Sequence, residues 1–134
     1  MIYEEVIVLQ QPFDEALAAV KSAFAEVGFG TLTEIDMQAT MKAKVDKDID
    51  SYVIVGACNP HLASRALDIV PQIGVLLPCN VAVRQVDDDV VVEVMDPGLM
   101  GTITGHPDMA SLAEEARSLV NDALQQLGAT AEAS

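Results

Sequence analysis

The sequence is poor in aromatic residues and in cysteine. Among its 134 residues there is no Trp, and only two Tyr and three Phe occur. Because 51% of the residues are hydrophobic, the chain can bury a sizeable core, which must be built from aliphatic side chains and methionine. Two cysteines are too few for a disulfide framework. This length is typical of one domain with one core.

Basic residues are also scarce. Seven Lys and Arg stand against 21 Asp and Glu, which gives a net charge of −14. Nucleic acids and anionic membranes both attract basic side chains, so we expect neither among the partners. Apolar runs stay far below the ~20 residues that span a bilayer. The start, MIYEE, lacks the basic residues of a secretory signal, and we expect a cytoplasmic location, where thiols stay reduced.

The pattern of apolar residues predicts elements in the order β-α-β-β-β-α-β-β-α. Strands are predicted at residues 3–9, 29–37, 40–45, 52–57, 81–86 and 90–95, and helices at 13–27, 60–70 and 107–127. Gly28 is expected to end the first helix, and Gly128 the last. Residues 98–106 are predicted as a flexible loop, and residues 129–134 as a frayed tail.

These elements predict a single α+β domain over residues 1–128. Antiparallel strands dominate, and three helices are expected to cover one face of the sheet. The other face is then left to water, a ligand or a second subunit. The excess of apolar residues favours a second subunit, so we expect a homodimer.

Two short motifs each contain a cysteine followed by asparagine, beside a proline. They are "ACNP" at 57–60 and "LLPCNV" at 76–81. Asn is a strong N-cap and Pro is favoured at the first helical position, so a helix start explains the first motif. No local rule explains the second. If the two strands are neighbours, both thiols lie at one end of the sheet, and the helix start is expected to lower the pKa of Cys58.

The stretch "YVIVGACNPHLASRALDIVPQIGVLLPCNVAVRQ" at 52–85, followed by "VVVEVMDP" at 90–97, resembles the family called domain of unknown function 302. The resemblance extends over nearly the whole chain. It implies an antiparallel sheet covered by helices with a TATA-binding-protein-like topology, and a homodimer. It implies no DNA binding, because only the chain topology is shared. It brings neither an established activity nor a known cofactor.

Three functions remain open. The first is a non-enzymatic binding module for a small ligand: a sulfur species, a soft metal ion or an apolar molecule. The second is a thiol-dependent redox or sulfur-transfer enzyme with Cys58 as nucleophile. The third is a structural assembly protein whose cysteines only pack. The candidate ligand-binding residues are Cys58, Asn59, Cys79, Asn80, His61 and Asp96.

Other candidate sites are less well supported. Cys58 and Cys79 with His61 and His106 contain the atoms that zinc prefers, but they lack paired-ligand spacing, and we assign no metal ligand. The acidic run 87–89 lacks the ligand spacing of a calcium loop and is predicted as a hairpin turn. Met95, Met100 and Met109 are expected in the core or along an adaptable apolar pocket.

Overall fold

The computed structural model describes residues 6–133, with side chains through Gly128. Its strands are β1 (Ile7–Leu9), β2 (Gly30–Asp36), β3 (Tyr52–Cys58), β4 (Cys79–Val86) and β5 (Asp89–Val94). Its helices are α1 (Phe13–Glu26), α2 (Met37–Val45), α3 (Pro60–Ile69), α4 (Gly98–Thr104) and α5 (Pro107–Ala133). A 3₁₀ helix spans Pro71–Leu76. The first three residues of the predicted strand 3–9 lie outside the described part.

The five strands form one antiparallel sheet in the order β1-β5-β4-β3-β2. The α+β prediction is therefore confirmed. The continuous apolar strand β3 pairs with β2 on one side and with β4 on the other. The acidic run 87–89 makes the tight turn of the β4–β5 hairpin, with Asp87 at a φ of 52°.

The core lies between one face of the sheet and the helices. Valine alternates along the strands, so every second side chain faces inward. The buried residues of the three interior strands are Val53, Val55, Gly56, Ala57, Cys79, Val81, Val83, Val90, Val92 and Val94. Helix α5 contacts α1, α3 and β1, and it contributes buried Met109, Leu112, Val120 and Leu124.

Helix α1 ends where the sequence predicted. Gly28 has a φ of 91° and donates a hydrogen bond to Ala25 O, while Phe29 N donates to Phe24 O. This pair of bonds at a left-handed glycine is a Schellman motif. It satisfies the last carbonyls of the helix and directs Phe29 into the core.

The predicted strand at 40–45 is wrong, because helix α2 occupies Met37–Val45. Asp36 caps this helix: its Oδ1 accepts a hydrogen bond of 2.9 Å from Ala39 N, and its carbonyl accepts one from Thr40 Oγ1. Every residue of α2 is exposed or half-buried. The apolar periodicity that reveals a helix is therefore absent, although Met, Gln, Ala and Lys favour helix.

The predicted loop at 98–106 is also wrong over most of its length, because helix α4 occupies Gly98–Thr104. Asp96 Oδ1 accepts a hydrogen bond of 2.9 Å from Gly98 N, and Gly105 ends the helix at a φ of 63°. Gly101 lets α4 approach α5 closely, since a Cβ there would lie 2.9 Å from Ala110 Cα. Small residues that looked like a loop signal are thus a helix-packing signal.

Helix α5 does not stop at Gly128 as predicted, but continues to Ala133. A Cβ at Gly128 would lie 3.8 Å from Ile7 Cδ1, so this glycine faces β1 without a special backbone conformation. The predicted frayed tail, residues 129–134, reaches outside the described part and stays a prediction. Among residues 6–133, none of the helices is both long and apolar enough to cross a membrane.

Candidate functional site

The pairing of β3 with β4 brings the two Cys-Asn motifs together. Ala57 is the register partner of Cys79, and Gly56 is the partner of Asn80. The sequence predicted that both thiols lie at one end of the sheet if these two strands are neighbours, and they are. One end of the sheet therefore carries both cysteines.

Asn59 holds the start of α3 and the end of α1 at this edge. Its Oδ1 accepts hydrogen bonds from His61 N at 3.1 Å and from Leu62 N at 3.2 Å. A Cβ on Gly28 would lie 2.9 Å from Asn59 Nδ2, so the glycine lets the amide pack against the α1 terminus. Two amides of the first turn of α3 are thus bound to Asn59 and not to the neighbouring thiol.

Cys79 points into the core and keeps its proton. Its side chain is 7% exposed, and its S–H donates to Met95 O at 3.6 Å. Burial, together with the smaller effects of the charges of Asp96 and Cys58, raises the pKa of Cys79 to about 12. Desolvation disfavours the thiolate, which explains the direction of the shift. Cys79 is therefore a neutral thiol near pH 7.

A small cavity of about 40 Å³ lies beside both cysteines. Four sulfur-containing residues line it: Cys58, Cys79, Met95 and Met100. Aliphatic residues of α3 and α5 form much of its wall, namely Leu62, Ala63, Ala66, Leu112 and Ala116. Asn59 contributes an amide to the lining. Such a space admits one small guest among sulfur-containing and aliphatic residues.

The proline of the second motif has a packing role that the sequence did not reveal. The Leu77–Pro78 peptide bond is cis. A Cβ at Gly56 would lie 2.7 Å from Pro78 Cγ and 2.1 Å from Thr33 Oγ1. Gly56 therefore leaves room for the Pro78 ring against β3. A glycine within an otherwise apolar strand was the only available signal, since it indicates close approach.

The other predicted site residues lie around the cavity and not in it. His61 is exposed on α3. Asp96 sits between two lining residues, but its Oδ1 contacts Gly98 N at 2.9 Å and Arg117 Nε at 3.2 Å. Asn80 is exposed, on the opposite face of the sheet from Cys79. The structure thus places Cys58, Asn59 and Cys79 together and separates Asn80 and His61 from them.

The opposite face of the sheet forms an open groove of about 800 Å³. Its lining combines strand residues with side chains of α4: Tyr52, Ile54, Asn80, Ala82, Arg84, Glu93, Met95, Leu99 and Ile103. Arg84 Nε and Glu93 Oε1 form an ion pair of 2.7 Å in the middle. We name this surface the open face. It is the face of the sheet away from the buried core, and two side chains of α4 border it.

The zinc set considered from the sequence is not assembled. His106 Nδ1 accepts a hydrogen bond from Asp108 N at 3.2 Å, at the start of α5. Within the described residues, no three His, Cys, Asp or Glu side chains cluster closely enough to hold a metal ion. The three methionines were predicted in the core or along an apolar pocket. Met95 and Met100 line the cavity, whereas Met109 is fully buried in the core.

Comparison with known proteins identifies the family. The family described as domain of unknown function DUF302 matches residues 5–127. The chain is also similar to the crystal structure of an uncharacterized conserved DUF302 protein from Bacillus stearothermophilus. The TM-score is 0.85 at 20% sequence identity, over 94% of this chain and 97% of that one. Among proteins with curated functions, none matches. The chain belongs to the DUF302 family.

Proposed function

We propose that this member of the DUF302 family is a small, non-enzymatic, homodimeric binding module whose ligand site is the cavity between Cys58 and Cys79. The observation that carries the proposal is the convergence of Cys58, Asn59 and Cys79 on one small space. These residues come from both Cys-Asn motifs, although 20 residues separate Cys58 from Cys79 in sequence. Packing alone would not require both cysteines to border the same cavity.

The size of the cavity restricts the ligand. About 40 Å³ is a few times the ~10–15 Å³ that one water needs by a comparable measure. A drug-sized molecule needs roughly 300 Å³ or more. The ligand is therefore the size of one or a few atoms, which fits a soft metal ion or a small sulfur species and disfavours a large apolar molecule.

A thiol enzyme is less well supported. Such an enzyme needs a thiolate in contact with a base. Cys79 keeps its proton at neutral pH, because its pKa is raised to about 12. His61, the nearest candidate base to Cys58 in sequence, is exposed and is not part of the cavity lining. Geometry therefore favours binding over nucleophilic catalysis.

The proposed dimer uses the open face. Large apolar side chains are exposed there: Val8 and Ile35 are each 45% exposed, and Ile103 is 57% exposed. Ile35 pairs with Ile54, and Val8 with Val91, so these side chains share the uncovered side of the sheet. A second copy of the chain would remove this apolar area from water.

Native mass spectrometry tests the ligand site. The protein is purified gently, without reductant or chelator, and its mass is compared with that of the apo chain. We expect a dimer carrying additional mass, and we expect the Cys58→Ser, Cys79→Ser double variant to be a dimer without it. His61→Ala is the matched control and should retain the mass. A bare wild-type dimer with two free thiols would contradict the proposal and favour a packing role.

Light scattering tests the dimer separately. Ile54→Arg places a charge on the open face, and we expect it to reduce the mass from two chains to one. Leu67→Arg is the control, because Leu67 is 45% exposed on α3, away from this surface. If Ile54→Arg leaves the dimer intact, the open face is not the interface.

A further inference from the structure

We infer that the cavity is a binding site for a single Cu(I) ion, held by the sulfur atoms of Cys58, Cys79, Met95 and Met100. This inference rests on the proposed binding function and specifies the chemical class of its ligand. It concerns the methionines as much as the cysteines.

The lining residues have the chemistry of a soft-metal site. Thiolates and thioethers are soft ligands that select Cu(I), whereas zinc sites are built from Cys, His and carboxylate. Both cysteines of the chain and two of its six methionines border this one cavity. The carboxylate of Asp96, next to Met95 in sequence, already contacts Gly98 N and Arg117 Nε. Asn59 also borders the cavity, but its Oδ1 already accepts two backbone hydrogen bonds, so the sulfur atoms are the donors left for an ion.

The four residues lie on or directly beside strands and a helix. Cys58 ends β3 and Cys79 begins β4, and these strands pair at this point. Met95 follows β5, its N donates to Asn80 O at 3.1 Å, and the residue borders both the cavity and the groove on the open face. Met100 lies on α4, whose first residue, Gly98, donates its N–H to Asp96 Oδ1. A site supported in this way keeps its ligands close to a productive geometry.

The four residues differ in their exposure to solvent. Cys79 and Met100 are 7% and 9% exposed, so they form the closed side of the cavity. Cys58 and Met95 are half-buried, so this part of the lining is not fully shielded from solvent. One shielded and one accessible side suits an ion that is acquired by ligand exchange.

Charge balance sets the cost of loading. Each thiol that coordinates the ion releases one proton, so one Cu(I) and two thiols give two protons and a site of charge −1. The thioethers stay neutral. The bound ion supplies the missing positive charge in place of the protons.

Anaerobic titration with Cu(I) against a coloured Cu(I) chelator tests the inference. We expect one ion per chain. Binding should be at least about 100-fold weaker in the Cys58→Ser, Cys79→Ser variant and about tenfold weaker in Met95→Leu or Met100→Leu. Met109→Leu is the matched control and should bind as the wild type does, because Met109 is buried outside the cavity lining. Leucine conserves the volume of methionine, so these variants should keep the fold.

The outcomes separate the two proposals. If Cu(I) does not bind but the gently purified chain carries another mass that depends on the cysteines, the copper inference is wrong and the binding function stands. If neither is found, both are wrong. Equal binding by the wild type and the Met95→Leu and Met100→Leu variants would remove the methionines from the site. Should the double cysteine variant not fold, the methionine variants alone decide.

Discussion

Cys58-Asn59 and Cys79-Asn80 contain the same two side chains, but the fold gives them opposite arrangements. In the first pair the chain leaves a strand and enters a helix, so Cys58 and Asn59 both border the cavity. In the second pair the chain enters a strand, where successive side chains point to opposite faces. Cys79 is therefore buried, whereas Asn80 is exposed on the open face.

This difference shows that a repeated dipeptide need not be a repeated site. The role of each residue depends on whether the backbone is turning or extended at that point. Asn59 binds two backbone amides, while Asn80 contributes its carbonyl to the sheet ladder and its side chain to the groove. The cavity is thus built from three of the four residues, together with Met95 and Met100.

The largest predicted effect concerns the reactivity of Cys79. A pKa of about 12, against roughly 8.5 for an ordinary thiol, lowers the thiolate fraction at pH 8 by about a thousandfold or more. We expect alkylation of Cys79 in the folded apo protein to be slower by at least that factor than in denaturant. Peptide mapping after timed alkylation at pH 8 measures it. Rapid labelling of native Cys79 would mean that the two cysteines are not arranged as described.

The same shift predicts a pH dependence of stability. Folding raises the pKa of Cys79. The contribution of its neutral thiol to the free energy of unfolding is therefore complete below about pH 9 and is lost as pH rises towards 12. The free energy of unfolding then falls by up to about 1.4 kcal/mol per pH unit, and by a few kcal/mol in total. Urea unfolding of the wild type and Cys79→Ala between pH 8 and 11 measures the difference. Parallel stability curves for the two proteins would show that Cys79 is not buried as a neutral thiol.

The next effect tests how the second motif packs on the first strand. Gly56→Ala forces a Cβ against Thr33 Oγ1 and the Pro78 ring, and we expect a loss of about 1–3 kcal/mol in the free energy of unfolding. Gly74→Ala is the control, because a Cβ at Gly74 meets nothing within 4 Å. Urea denaturation compares them. Equal stability of the two variants would remove the role assigned to Gly56.

The smallest effect distinguishes the two asparagines directly. Asn59→Ala removes the N-cap of α3, which typically costs about 1 kcal/mol. Asn80→Ala alters an exposed side chain, and we expect a change within about 0.5 kcal/mol. Both variants are measured by urea denaturation at equal protein concentration. A larger loss for Asn80→Ala would reverse the assignment of the two motifs.

Much of the fold could be predicted from the sequence, because valine-rich strands and the amphipathic helices α1 and α3 carry strong patterns. Helices α2 and α4 could not, for different reasons. Helix α2 buries no residue, so it has no apolar stripe to detect within residues 37–45. Helix α4 is rich in Gly and Thr, and it is held by the hydrogen bond from Gly98 N to Asp96 Oδ1 and by close packing on α5 at Gly101.

The candidate site could be predicted only in part. Cys58, Asn59 and Cys79 were identified because a motif repeated, and their proximity depended on strand pairing. Asn80 does not join these three residues, since the alternation of side chains at the strand start separates it from Cys79. The sequence could not distinguish whether Met95 and Met100 line the cavity or lie in the core, because this depends on where α4 packs. Long-range packing, and not local pattern, completes the cavity.

The most direct test of the account fills the cavity while leaving both thiols in place. Ala63 lines the cavity from α3, and Ala82 lines the groove on the open face. Native mass spectrometry of gently purified Ala63→Leu and Ala82→Leu compares the two sites. The account predicts that Ala63→Leu loses the bound mass per chain and that Ala82→Leu retains it. Retention by Ala63→Leu with loss by Ala82→Leu would contradict the account and place the ligand on the open face.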